Sequence, residues 1–91
     1  MNDATIWEGI ERHQITLAAP LLIARGAKGM LACGYINPAT CDRTGEACAI
    51  VTGVKCFDDM LDAKVVAVSQ AAAKLGVQPG APGKEALNVF R

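Results

Sequence analysis

Aromatic residues are scarce in this chain: one Trp, one Tyr and two Phe make up 4% of its 91 residues. A core here is therefore built from small aliphatic groups, with few bulky anchors. Charge imbalance is missing as well. Nine basic and nine acidic residues give a formal net charge of zero, and the lysines and arginines are spread singly. That excludes the basic footprint a nucleic-acid binder needs. Long apolar runs are also absent. The charge-free stretch from about Ile15 to Ala24 contains Pro20 and is half as long as the ~20 residues a membrane-spanning helix needs. Met1-Asn2-Asp3 carries no positive flank, so no secretory signal is expected and the expected setting is the cytoplasm.

What is abundant is hydrophobic surface, at 52% of residues. A chain of this length is one domain, and it buries only roughly 60–65% of the surface its unfolded form exposes. Surplus apolar surface on so small a domain normally ends in a subunit interface, so a homo-oligomer is expected. Cysteines stand at 33, 41, 48 and 56. In a cytoplasm they are expected as four reduced thiols, and no one of the three possible pairings is favoured by their spacing.

Along the chain, Ile15 and Leu17 flank Thr16 in period two, which predicts a strand from about Arg12 to Leu17. Leu21-Leu22-Ile23-Ala24 and Met30-Leu31-Ala32-Cys33 flank Arg25-Gly26-Ala27-Lys28-Gly29, a hairpin whose glycines are expected to supply positive φ. Asn37-Pro38 opens a short helix, with Asn as N-cap and Pro at the first helical position, and Gly45 ends it. The small-apolar run from Ala47 to Val54 suits a central strand buried on both faces at about 48–54. Phe57 to Leu61 reads as a short helix, and Lys64 to Val68 as a β-branched strand. Ser69 caps a helix through Leu75, closed by Gly76 with Val77 packing back. Pro79-Gly80 turns the chain, and Pro82 starts a last helix to Phe90. Interleaved strands and short helices predict an α+β domain of two layers, a mixed sheet with helices packed on its other side.

Several motifs in this order form a recognisable set. They are K-G-x-x-x-C-G-Y at 28–35, G-V-K-x-F-D-D-x-L-D-A at 53–63, K-L-G-V at 74–77, P-G at 79–80 and G-K-E-A-L at 83–87. In them the chain resembles the YunC-like family of small prokaryotic domains of unknown function, over roughly residues 20 to 91. The resemblance implies a small α+β fold in a prokaryotic cytoplasm and implies no activity. Three departures stand out: Leu17-Ala18 replaces a Leu-Pro pair, Pro82 stands where Ser is common, and Cys56 stands where family members usually have Thr. A thiol is a poor cap acceptor, so the last change should cost on the order of 1 kcal/mol. Cys33 belongs to the shared Cys-Gly-Tyr motif, whereas Cys41 and Cys48 are not family features.

The candidate site residues fall in two short segments. Cys33 precedes Gly34 and Tyr35, where a glycine lets a ligand or a second backbone approach closely. As a nucleophile or redox thiol, Cys33 would need His13 or Lys55 nearby. The competing reading, a buried structural cysteine, leads on the residue type's usual burial. Cys56, between Lys55 and a helix start, is placed to feel the helix field, but Asp58 and Asp59 occupy the same first turn. The same two carboxylates weaken an anion site at Gly53-Val54-Lys55. If either thiol is functional, the two segments should meet in one pocket, with Asn37 or a second subunit completing it.

No metal is expected, because the cysteines lack the close pairs that zinc sites use. Residues 26–29 are not a phosphate loop, no Ser-His-Asp set stands out, and no cofactor is implied. The favoured function is a homo-oligomeric module that binds a small ligand or a protein partner. The alternative is a thiol-dependent enzyme or redox protein using Cys33 with Cys56.

Overall fold

A computed structural model describes residues 6–91. Met1-Asn2-Asp3, read above for their lack of positive charge, lie outside the described residues. Among the described residues the fold is a five-stranded mixed sheet with four short helices, the α+β architecture expected. Its strands are β1 (Glu11–Thr16), β2 (Pro20–Arg25), β3 (Met30–Ala32), β4 (Cys48–Ile50) and β5 (Ala67–Val68), and they lie side by side in that order. The helices are α1 (Pro38–Thr44), α2 (Phe57–Asp62), α3 (Gln70–Lys74) and α4 (Gly83–Phe90). All neighbouring strands run antiparallel except β3 and β4, which are parallel, with Met30 opposite Cys48 and Ala32 opposite Ile50.

Period-two alternation sorts the sheet's side chains onto two faces. Leu22, Ala24, Leu31, Cys33, Ala49 and Val51 point to the larger core, where α2, α3 and α4 bring Met60, Ala72, Leu87 and Phe90. Ala32, Cys48 and Ile50 point to the opposite face, where α1 supplies Cys41. The helices therefore do not all lie on one side of the sheet, as the two-layer reading had them. The reason is connectivity: parallel β3 and β4 need a crossover, and α1 makes it over the face that the other helices leave open.

Helix ends follow the sequence closely. The Asn37 side chain accepts the Ala39 N–H at 2.9 Å, Pro38 takes the first helical position, and Gly45 closes α1 at φ 80°. Ser69 caps α3 and is fully buried. Its hydroxyl donates to the Glu46 carbonyl at 2.8 Å and accepts N–H groups from Cys48 at 2.9 Å and Ala72 at 3.3 Å. Gly76 has φ 98°, and Val77 behind it is buried. Pro82 is the N-cap of α4, with helical backbone starting at Gly83.

The remaining differences have physical causes. Gly26 and Gly29 do not have positive φ; they are glycines because α4 ends against them. A Cβ at Gly26 would collide with the Phe90 carbonyl, and one at Gly29 would meet the Phe90 ring and the Ala47 carbonyl. β4 ends at Ile50 instead of reaching Val54, because Val51 makes a last bond to the Ala32 carbonyl at 2.9 Å and Gly53, at φ 72°, turns the chain away. β5 is only Ala67–Val68, since Lys64 and Val65 bond to the 80–82 segment instead. Trp7, before β1, is buried edge-on against Phe57 with ring centres 5.9 Å apart.

The expectation of four reduced thiols is corrected. Cys41 and Cys48 form a disulfide with Cα atoms 6.5 Å apart, while Cys33 and Cys56 are free. Seven positions apart in sequence, the two cysteines meet because α1 folds back over β4.

Candidate functional site

The parallel pair β3 and β4 sets up the most informative geometry in the fold. After β3 the chain leaves for α1 on one face, and after β4 it leaves for α2 on the other. Two neighbouring parallel strands whose connections depart to opposite sides leave a crevice at their carboxyl ends, where open sheets bind ligands. A cleft of about 590 Å³ lies there, within the range of small-molecule sites.

Both candidate segments line this cleft. From the end of β3 come Cys33, Gly34 and Tyr35, and from the end of β4 come Thr52, Gly53, Val54 and Lys55. A third wall is the turn of the β1–β2 hairpin, Ala18, Ala19 and Pro20, which the sequence reading did not include. The only clue to it was the apolar, charge-free composition of that turn. Local hydrogen bonds tie the walls together. The Leu22 N–H donates to Cys33 Sγ at 3.3 Å, fixing the thiol against β2, and the Ala19 N–H donates to the Tyr35 hydroxyl at 3.4 Å. The lining is predominantly apolar, and Lys55 is its one charged side chain.

The structure leaves the other candidates outside. Cys56 is exposed and does not line the cleft. As N-cap of α2 it makes no side-chain capping bond, consistent with a thiol's weakness as an acceptor. The Asp59 carboxylate reaches back to the Lys55 N–H at 3.0 Å, so that donor, just before the N-cap of α2, is offered to no ligand. Asn37 is occupied in capping α1 and faces a separate, wider groove between α1 and the 25–30 turn. His13 sits exposed on β1, 3.5 Å from Glu11, and is no partner for Cys33. Among the described residues, no group of three or more His, Cys, Asp or Glu side chains is placed to hold a metal ion. None of their helices is long and apolar enough to cross a membrane.

Comparison with known proteins places the chain. The profile described as Domain of unknown function (DUF1805) matches residues 32–90, a span that begins one residue before the Cys33-Gly34-Tyr35 motif. The chain belongs to the DUF1805 family. This is the YunC-like family that its motifs resemble. A crystal structure of a protein of unknown function from Thermoplasma acidophilum, TA1206, superimposes with a TM-score of 0.78 at 35% identity, over 90% of this chain and 93% of that one. No curated protein matches the chain. The matched span thus begins at the last residue of β3, Ala32, and takes in β4 and the four helices of the described residues, while β1, β2 and their cleft-forming turn precede it.

Proposed function

We propose that this DUF1805 protein is a non-enzymatic binding module that holds a small organic ligand in the cleft, and that it works as a homo-oligomer. The observation that carries the binding reading is the crevice at the ends of β3 and β4, where connections to α1 and α2 part to opposite faces. Its volume of about 590 Å³ suits a small molecule better than a protein segment. A binding role fits its lining, because among the described residues neither a histidine nor a carboxylate lines the cleft with Cys33 to act as a base.

The homo-oligomer half rests on surface character. All six residues of β1, the edge strand of the sheet among the described residues, are exposed, and Ile15 and Leu17 beside the cleft's hairpin wall are large apolar groups in contact with solvent. An open edge of this kind is a template for pairing with a second copy. The proposed setting is a prokaryotic cytoplasm. There the Cys41–Cys48 bridge would be unusual, and the near-complete burial of both cysteines keeps small thiols away from the sulfurs.

The test uses the neutral fluorophore N-phenylnaphthylamine, an apolar probe of suitable size. It should bind saturably, and Gly34→Phe should abolish binding while circular dichroism stays unchanged. A Cβ at Gly34 would meet only Thr52 Cγ2, at 3.5 Å, so the new ring enters the cleft instead of the core. Binding unaffected by that change would remove the cleft from consideration. Sedimentation at micromolar concentration should give at least a dimer; a clean 9.5 kDa monomer overturns the assembly half.

One observation favours thiol chemistry as a second reading: Cys33 lines the same cleft as Lys55. Thiol titration in a Cys56→Ser background separates the readings, since a reactive thiol stays modifiable at mildly acidic pH and a structural one does not.

A further inference from the structure

The cleft has a polarity that narrows its ligand further. Its walls are apolar along Ala18, Ala19, Pro20 and Val54, and its polar side chains are Tyr35, Thr52 and Lys55, of which only Lys55 is charged. Among the described residues, no carboxylate pairs with the Lys55 ammonium; the ion pairs among them are those of Glu11 with His13 and Arg25. Asp59 engages the Lys55 backbone N–H. The Tyr35 hydroxyl accepts the Ala19 N–H, which leaves its own proton free to donate. A largely apolar pocket with one unpaired cation and neutral O–H donors complements a molecule that is apolar over most of its length and ends in a single anionic group.

From this we infer that the cleft takes an apolar organic acid, a carboxylate-type anion on a hydrophobic body, with Lys55 and Tyr35 holding the acid group. The inference rests on the cleft being a binding site. A phosphate ester fits less well. Phosphate sites cradle the anion in several backbone N–H groups, and here Asp59 already occupies the Lys55 N–H at the start of α2.

Two probes with one ring system separate the questions. Anilinonaphthalene sulfonate is a singly charged apolar anion, and N-phenylnaphthylamine is the same skeleton without the charge. The wild-type chain should bind both, and only the sulfonate should weaken as salt is raised. Lys55→Met, an exchange at an exposed position with no ion pair among the described residues, should weaken the sulfonate about fivefold or more and leave the neutral probe within about twofold. Lys55→Arg should restore sulfonate binding. If Gly34→Phe displaces the neutral probe but Lys55→Met leaves the sulfonate untouched, the cleft stands and the organic-acid assignment is overturned. Equal weakening of both probes by Lys55→Met overturns it too, because the lysine then acts through packing. If neither probe binds, the cleft reading and this inference fail together.

Discussion

Removing the Ser69 hydroxyl should be among the most damaging small changes this fold can suffer. Ser69→Ala takes away one oxygen, but that oxygen joins three elements. It caps α3 through the Ala72 N–H, receives the Cys48 N–H from β4 and donates to the Glu46 carbonyl before that strand. Losing the cap costs about 1 kcal/mol. Leaving the fully buried Cys48 N–H without an acceptor adds about 1–3 kcal/mol. Glu46 is exposed, and its carbonyl can turn to water at little cost. The total is about 2–4 kcal/mol, against roughly 5–14 kcal/mol of stability for a chain of this length. Urea unfolding can be followed through the single, buried Trp7. With a slope near ~1 kcal/mol per molar, the midpoint should fall by about 2 M or more at unchanged slope. Asn37→Ala is the control: an exposed cap serving one N–H, it should cost only about 1 kcal/mol. A Ser69→Ala loss no larger than that of Asn37→Ala would refute the reasoning that the buried bonds to β4 matter.

Two further outcomes are expected. Cys56→Thr should stabilise the chain by about 1 kcal/mol in the same urea assay, because the N-cap of α2 has no side-chain acceptor now; no gain would contradict the reading of Cys56 as an unfilled cap. Cleaving the Cys41–Cys48 bridge, or replacing both cysteines by Ala, should cost about 2.5 kcal/mol from the short loop it closes, lowering Tm by about 10–20 °C. Mass spectrometry should first find two free thiols, and an unchanged Tm after reduction would contradict a structural role for the bridge.

Local chemistry was the legible part of the sequence. Asn37-Pro38 and Gly45 bracket α1, and Ser69 and Gly76 bracket α3, because caps are decided by a residue's own side chain or φ. The resemblance in motifs and the α+β class also stand. What escaped was set by distant partners. Gly26 and Gly29 look like turn glycines, yet the end of α4 dictates them. The apolar run through Val54 reads as one strand, yet its last residues serve the core and the cleft. The Cys41–Cys48 pairing depends on α1 crossing β4, which no spacing reveals. For the candidate site, the sequence singled out both segments that meet at the cleft, but not the hairpin turn that walls it. It grouped Cys56 and Asn37 with them, and the fold places both elsewhere. The parallel pairing of β3 and β4 is what makes a crevice of those two segments, and pairing direction leaves no mark in residue order.

Amide chemical-shift mapping with N-phenylnaphthylamine tests the central claim most directly, since it reports where on the whole chain a small ligand sits. Titration should move the signals of Cys33 to Tyr35, Thr52 to Lys55 and Ala18 to Ala19 together, with one saturation curve. Shifts concentrated instead around Lys28, Thr40 and Thr44, in the wider groove, or no saturable shifts at all, would contradict a ligand site at the ends of β3 and β4.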